Sequence, residues 1–194
     1  MTEAALALID FSSIAVGIES ADAMAKRAQL QVLRAGTVQP GRFLVLVGGA
    51  VAEVQESLAA GRHVGGESVL DHVFLPNVHP EVLRAIGGTR VPDEHEAVGV
   101  VETTTVAAAI RAADAGRKGA EVRLVEVRMA DGLGGKGIVL YSGLVADVEA
   151  AVEIACRAVL PGLLVRQVVV SQLHPEMWEN LASATRFGER LEGL

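Results

Sequence analysis

Residues 36–54 read GTVQPGRFLVLVGGAVAEV, and residues 132–148 read GLGGKGIVLYSGLVADV. Each segment predicts a glycine-rich loop, a short apolar strand, a tight glycine turn and the start of a helix. The cations Arg42 and Lys136 occupy the same place in the two segments, directly after a loop glycine. Because a block of this kind occurs twice in one chain, we expect two copies of one small domain.

The repeat extends along most of the 194 residues. Residues 21–26 (ADAMAK) correspond to residues 113–118 (ADAGRK), and residues 79–83 (HPEVL) correspond to residues 174–178 (HPEMW). The offset between the copies stays between 92 and 95 residues, so the insertions are small. The two halves of the chain are therefore expected to share one fold.

Each copy has the predicted order strand–helix–strand–strand–helix–strand–helix, an α+β arrangement close to a split β-α-β unit. We place the first domain at residues 1–88 and the second at residues 97–194. Between them, residues 89–96 combine proline with charged residues and carry no apolar period, which predicts a linker.

The first helix is expected to begin after a cap at Ser12 or Ser13, whose hydroxyl oxygen accepts a first-turn amide hydrogen. Gly61 is expected to end the next helix of that domain, because glycine tolerates the left-handed closing conformation. The apolar spacing of the first helix predicts one buried face, formed by Ile14, Ile18, Ala21, Ala25 and Ala28.

Composition excludes several classes of protein. The formal net charge of −7 argues against a nucleic-acid surface, which needs clustered Lys and Arg. The single cysteine, Cys156, provides neither a disulfide framework nor a cysteine-based metal cluster within one chain. No apolar stretch approaches the roughly 20 residues of a membrane span, and the N-terminus lacks the basic region of a signal peptide. We therefore expect a soluble cytoplasmic protein with no nucleic-acid or membrane partner.

The glycine loops do not have the pattern of a phosphate site. Neither matches Gly-x-x-x-x-Gly-Lys-Ser/Thr, and each lies between two predicted strands, so no helix terminus aims its amides at a ligand. The histidines show no spacing typical of a zinc site. His79 and His174 stand at equivalent positions before a proline, which favours a structural role at a helix start.

The remaining polar residues indicate no enzyme. No nucleophile motif surrounds Ser12 or Ser13, and no pair of carboxylates stands out as an acid and a base, so we expect no catalytic residues. Most of the carboxylates are expected at solvent-facing helix positions: Glu19, Asp22, Glu53, Glu102, Asp114 and Asp147.

A lysine ends the first helix of each copy, at Lys26 and Lys118. Two interpretations of these lysines stay open from the residues alone. Each can donate hydrogen bonds to carbonyl oxygens of a neighbouring molecule, or it can stay solvated and stabilise the helix C-terminus through the dipole.

These blocks resemble bacterial microcompartment (BMC) shell proteins. The resemblance rests on residues 21–26 and 47–51 (VGGAV), each with its second copy, and on residues 75–79 (LPNVH). It spans nearly the whole chain and points to the tandem-domain class, and residues 174–178 are similar to the type found in propanediol-utilisation compartments. It implies two tandem ferredoxin-like BMC domains, each an antiparallel four-stranded sheet with flanking helices.

The resemblance also implies an assembly. Three chains would form a flat pseudohexagonal homotrimer, which tiles with hexameric and pentameric shell proteins around enclosed enzymes in the cytoplasm. In this family the loop between the second and third strands lines a central pore, and the matching residues are Gln39, Pro40, Gly41, Leu133, Gly134 and Gly135. The matching positions at edge contacts are Lys26, Lys118, Asn77, His79, Gln172 and His174. An arginine that is common in the family after the fourth strand is replaced here by Asn77 and Gln172.

The first loop departs from one type within this class. Members from propanediol-utilisation compartments carry a cysteine immediately before the Pro-Gly of that loop, and three such cysteines hold an iron–sulfur cluster. Gln39 occupies this place here. An amide does not replace a thiolate as ligand to such a cluster, so we expect no metal and no cofactor.

We therefore expect a structural shell protein whose pore passes small polar metabolites. The selectivity of such a pore comes from its diameter and from the donors and acceptors that line it. An alternative hypothesis is a duplicated α+β protein that binds or senses a small molecule. The two hypotheses differ in whether the paired glycine loops meet at a threefold axis or line a cleft between domains.

Overall fold

A computed structural model describes residues 5–89 and 96–183 of the chain. The elements of the first domain are β1 (Ala5–Phe11), α1 (Ile14–Arg27), β2 (Val32–Val38), β3 (Arg42–Gly49), α2 (Val51–Gly65), β4 (Val69–Leu75) and α3 (Pro80–Ile86). The elements of the second are β5 (Ala97–Thr103), α4 (Val106–Gly119), β6 (Arg123–Met129), β7 (Gly137–Gly143), α5 (Val145–Ala158), β8 (Leu164–Ser171) and α6 (Pro175–Ser183). Most of the predicted linker, residues 90–95, lies outside the described residues, so its bounds stay a prediction.

The two domains have the same sheet topology. The strand orders are β2-β3-β1-β4 and β6-β7-β5-β8, and every neighbouring pair is antiparallel. Along β3, buried and half-buried residues alternate, as expected for a strand with one face in a core. The predicted α+β fold of two tandem domains, each with an antiparallel four-stranded sheet and flanking helices, is confirmed.

Equivalent side chains cap the first helix of each domain. Ser13 Oγ accepts a hydrogen bond from the Val16 amide at 3.4 Å, and Thr105 Oγ1 accepts one from the Ala108 amide at 3.2 Å. The prediction that Ser12 or Ser13 caps α1 is therefore confirmed at Ser13. The two caps also establish which residues of α1 and α4 occupy equivalent positions.

Helix α4 lies between the two sheets. It contacts β1 and β4 of the first domain on one side and β5, β6 and β7 of its own domain on the other. Leu8 and Val73 of the first sheet share a core with Ile110 of α4, and all three side chains are buried. Burying a side chain of this size stabilises the fold by about 1.5–3 kcal/mol. The second domain therefore completes the core of the first.

The predicted buried face of α1 is wrong. Ile14, Ile18 and Ala25 are exposed in the chain, and the helix instead packs through the side that contains Gly17. A Cβ at Gly17 would lie 2.6 Å from the ring of Phe43, so the glycine allows α1 to approach the sheet closely. The apolar stripe of α1 thus faces away from its own domain.

Gly61 does not end α2, contrary to the prediction. The helix continues to Gly65 and closes at Gly66, whose φ is +49°. A Cβ at Gly61 would lie 2.4 Å from Met24 Sδ and 2.9 Å from Ile9 Cδ1. Close packing of α2 against α1 and β1, rather than helix termination, therefore explains this glycine.

Candidate pore loops and assembly contacts

The six predicted pore residues lie in two strand-to-strand loops. Gln39, Pro40 and Gly41 connect β2 to β3 and are exposed. In the loop between β6 and β7, Leu133 is half-buried, Gly134 is exposed and Gly135 is buried. Positive φ angles occur at Gly41 (+92°), Gly134 (+62°) and Gly135 (+86°). Both loops therefore depend on glycine for their backbone conformation.

Arg42 holds the two loops together. Its Nη1 donates to the carbonyl oxygens of Gly135 at 3.2 Å and Thr104 at 3.1 Å, both in the second domain. A Cβ at Gly135 would lie 2.8 Å from Arg42 Cζ, so the guanidinium occupies the space that a side chain would need. The structure thus places the two predicted pore segments side by side.

Arg42 also contacts a buried carboxylate. Its Nη1 lies 3.4 Å from Asp10 Oδ2, and Asp10 Oδ1 is buried without a hydrogen-bond partner. Burial raises the pKa of Asp10 to about 6, although the positive charge of Arg42 acts in the opposite direction. In the second domain the equivalent pair is Lys136 and Glu102, whose Nζ and Oε1 are 2.7 Å apart.

Sequence reasoning missed these ion pairs as part of the site. A signal for them was present, because Arg42 and Lys136 follow the loop glycine in both copies and an acidic residue recurs near the end of the first strand. Only the strand register brings each cation beside its carboxylate.

The two helix-end lysines have different surroundings. Lys118 Nζ lies 2.6 Å from Asp114 Oδ2 and donates to the Asn77 carbonyl oxygen of the first domain. Lys26 Nζ lies 2.5 Å from Asp22 Oδ2, and both side chains are exposed. Of the two interpretations left open for these lysines, a hydrogen bond to a carbonyl oxygen is therefore observed at Lys118. Its acceptor lies in the other domain of the same chain.

Asp114 is not solvent-facing, contrary to the prediction. It is buried where α4 meets the first domain, and its Oδ1 accepts a hydrogen bond from the His79 amide at 2.8 Å. Glu102 likewise lies on a strand rather than a helix. Helical spacing alone did not reveal that a second sheet covers this side of α4.

The two histidines have the structural role predicted for them. His79 Nδ1 accepts from the Glu81 amide at 3.2 Å, and His174 Nδ1 accepts from the Glu176 amide at 3.3 Å. Burial lowers the pKa of His79, and the positive charge of Arg117 lowers it further. The neutral form, which can accept this hydrogen bond, is thereby favoured. Participation of either histidine, or of Gln172, in an edge contact stays a prediction.

A buried carboxylate that the sequence did not single out joins the domains. Glu81 lies 3.0 Å from Arg117 Nε and 3.5 Å from Arg123 Nη1, and it accepts from the Leu124 amide at 3.2 Å. Burial alone would raise the pKa of Glu81, but the hydrogen bonds from Arg117 and Leu124 outweigh it and lower the pKa below its usual value.

The residues near the loops do not fit an iron–sulfur cluster. Such a cluster needs thiolate ligands, whereas Gln39 presents an amide and Cys156 lies half-buried on α5. Burial raises the pKa of the Cys156 thiol, which disfavours the thiolate. Among residues 5–89 and 96–183, no cluster of three His, Cys, Asp or Glu side chains could hold a metal ion. Within the same ranges, no helix is long and apolar enough to cross a membrane.

Comparison with known proteins is consistent with the duplicated fold. The profile of the BMC domain matches residues 5–78 and again residues 97–173. The chain therefore belongs to the BMC domain family and is a structural microcompartment shell protein.

Individual relatives match across both domains. The chain is 42% identical to the bacterial microcompartment shell protein PduT of Citrobacter freundii over 91% of this chain and 97% of that protein. A crystal structure of a microcompartment protein from Desulfitobacterium hafniense is 43% identical, covers 91% of this chain and 98% of its own, and superposes with a TM-score of 0.78. The carboxysome shell protein CcmK2 of Synechococcus elongatus is 34% identical over 39% of this chain and 78% of its own length.

Proposed function

We propose that three copies of this chain form a pseudohexameric ring with a central pore for small metabolites. The observation that carries the proposal is the contact of Arg42 with Gly135, which holds one loop of each domain side by side. Three chains arranged about an axis would bring six such loops together. The alternating first and second domains would then occupy equivalent places in the ring.

The pore proposed here has a polar lining. Each chain contributes the exposed Gln39, whose amide both donates and accepts hydrogen bonds. The neighbouring Gly41 and Gly134 carry no side chain that would fill the opening. Small polar molecules are the cargo that such a lining favours, because channel selectivity follows diameter and the donors and acceptors along the wall.

In this proposal the ring is a structural unit of the shell layer and not an enzyme. Its partners are hexameric and pentameric shell proteins at the edges and the enzymes that the shell encloses, and its location is a shell in the cytoplasm. The shared family with PduT and CcmK2, which are shell proteins by name, supports these partners. Lys26, Asn77 and Gln172 are proposed to lie at or near the edges.

Light scattering during size exclusion tests the ring, and electron microscopy of overproduced protein tests the tiling. We expect a mass of three chains in solution and flat sheets or tubes in the micrographs. A stable monomer over a wide range of concentration would contradict the ring and favour the duplicated small-molecule-binding protein.

The pore is proposed to hold no iron–sulfur cluster, because Gln39 provides no thiolate. Protein purified without oxygen is expected to contain neither stoichiometric iron nor acid-labile sulfide. The variant Gln39→Cys, treated identically, is the matched control because it places one thiol per chain at the same position. Stoichiometric iron and sulfide in the unaltered protein would refute this part of the proposal.

A further inference from the structure

Equivalent residues of the two domains differ sharply in exposure. Ile110 of α4 is 0% exposed, whereas Ile18, at the same distance from its helix cap, is 56% exposed. On the face of each sheet that lies opposite the two long helices of its own domain, here called the outer face, Val73 is 1% exposed and its counterpart Val168 is 46% exposed. A face of α1 and a part of the second sheet are therefore built like a buried interface, and the residues that the structure describes leave them uncovered.

The contact between the domains explains this asymmetry. Within one chain, α4 of the second domain docks on the outer face of the first sheet, so the two partners contribute different surfaces. The same contact, repeated between chains, would dock α1 of one copy on the outer face of the second sheet of the next. Interfaces of this head-to-tail kind close into rings when the rotation allows it. A second copy of this chain is therefore the occupant that the uncovered faces fit.

Part of the second sheet remains accessible for this docking. Helix α6 covers one end of the outer face, where Trp178 packs with Val98 and Leu140. The other end, with Arg166 and Val168 on β8, is exposed. This end also contains the Lys136–Glu102 pair next to the second loop.

The charges at this end are arranged differently in the two domains. Within the chain, Arg111 of α4 lies 3.8 Å from Asp71 Oδ1 on β4, and both side chains are largely buried. Asp71 pairs with Asp10 across the strands, and Arg166 pairs with Glu102 in the same register. Arg166 is therefore the counterpart of Asp71.

The partner on the helix is reversed as well. Arg111 is the sixth residue after the cap Thr105, and Glu19 is the sixth residue after the cap Ser13. The side chains of Glu19 and Arg166 are both exposed, and neither side chain has a hydrogen bond or an ion pair in the described part of the chain. The acidic residue on the first sheet and the basic residue on its docked helix α4 thus correspond to a basic residue on the second sheet and an acidic residue on α1.

The charge balance of the two sites points to the same partner. At the first domain, Asp10 and Asp71 are balanced by Arg42 and Arg111. At the second domain, the cations Lys136 and Arg166 face one carboxylate, Glu102. Docking of α1 would bring a negative charge, that of Glu19, beside these two cations.

We infer that Glu19 of one chain forms an ion pair with Arg166 of the next, and that this reversed pair stabilises the docking of α1 on the second sheet. The inference rests on the ring proposed above. Incorrect docking would bring like charges together, because α1 on a first sheet places Glu19 against Asp71, and α4 on a second sheet places Arg111 against Arg166. Like charges at an interface disfavour the wrong partner. Within a folded chain α4 already covers the first sheet, so the reversal reinforces, rather than creates, the alternation of first and second domains around the ring.

Charge reversal at the two positions tests the pair. Glu19→Arg and Arg166→Glu are each expected to raise the concentration at which half of the chains are associated by at least about tenfold. The reason is that each variant places two like charges opposite each other at the interface between chains. The double variant E19R/R166E restores an opposite pair and is expected to return association to within about threefold of the unaltered protein. Mass photometry or light scattering across a dilution series gives these values.

A matched control uses the exposed pair Glu153 and Arg157 on α5, a helix that packs on the opposite, inner face of the second sheet. Glu153→Arg and Arg157→Glu make the same changes in charge and are expected to leave association unchanged. Circular dichroism checks folding, and Glu19→Gln and Arg166→Gln replace any reversal variant that does not fold.

Two results would overturn the inference while leaving the ring intact: single reversals that associate as the unaltered protein does, or a double variant no better than the worse single one. Failure of the unaltered protein to associate at all would instead contradict the proposed function.

Discussion

At the scale of single residues, two neighbouring glycines in the second loop have different reasons to be glycine. Gly134 and Gly135 both have positive φ angles, +62° and +86°, which side chains other than glycine rarely adopt. A Cβ at Gly134 would meet nothing within 4 Å, whereas a Cβ at Gly135 would meet the guanidinium of Arg42. Only Gly135 is therefore constrained by the contact between the loops as well as by its own backbone.

This difference predicts unequal effects of alanine. Gly134→Ala is expected to lower the free energy of unfolding by about 1 kcal/mol, the cost of a left-handed conformation. Gly135→Ala is expected to lower it by at least about 2 kcal/mol, because Arg42 must move and lose hydrogen bonds to the second domain. Urea denaturation of both variants measures the values. Equal losses of unfolding free energy in the two variants would show that the Arg42 contact does not restrict the side chain at position 135.

At the scale of secondary-structure elements, β1, β4 and the start of α4 enclose a cluster of charges. Asp10 of β1 and Asp71 of β4 face each other across the strands, and Thr105 Oγ1, at the cap of α4, donates to Asp71 Oδ2 at 2.7 Å. Asp10 has no exposed surface, and one of its oxygens has no hydrogen-bond partner. Ionisation of Asp10 is therefore less favourable in the folded chain than in the unfolded chain.

The stability of the fold should consequently depend on pH through Asp10. Since the pKa is raised from 3.8 to about 6, the folded state binds the proton more tightly, and stability is lost as the pH rises through this interval. Two pKa units correspond to about 3 kcal/mol. Asp10→Asn is expected to be more stable than the unaltered protein at pH 7 and to lose most of this advantage near pH 4.

Urea denaturation between pH 4 and pH 7, at one protein concentration, measures this dependence. Glu149→Gln, which removes an exposed carboxylate on α5, is the matched control and should leave the pH dependence unchanged. If Asp10→Asn and the unaltered protein change in parallel with pH, ionisation of Asp10 does not limit stability.

At the scale of the whole molecule, two helices with corresponding sequences have different environments. Helix α4 is enclosed by two sheets, and α1 contacts one sheet and leaves its apolar stripe exposed. The pattern of Ile14 and Ile18 predicted a buried face, but the described residues of the chain supply such a cover only for α4. Assembly into a ring would give α1 the environment that α4 already has.

The sequence by itself determined the duplication, the order of elements, a helix cap at Ser12 or Ser13 and the structural role of His79 and His174. These features depend on local spacing, capping chemistry and backbone freedom, which a short segment carries within itself. Only the tertiary structure decided that Gly61 packs against Met24 and that Asp114 is buried. It also decided that Arg42 joins the two loops. Each of these depends on which sheet or helix covers a given face, and residues far apart in the chain supply that cover.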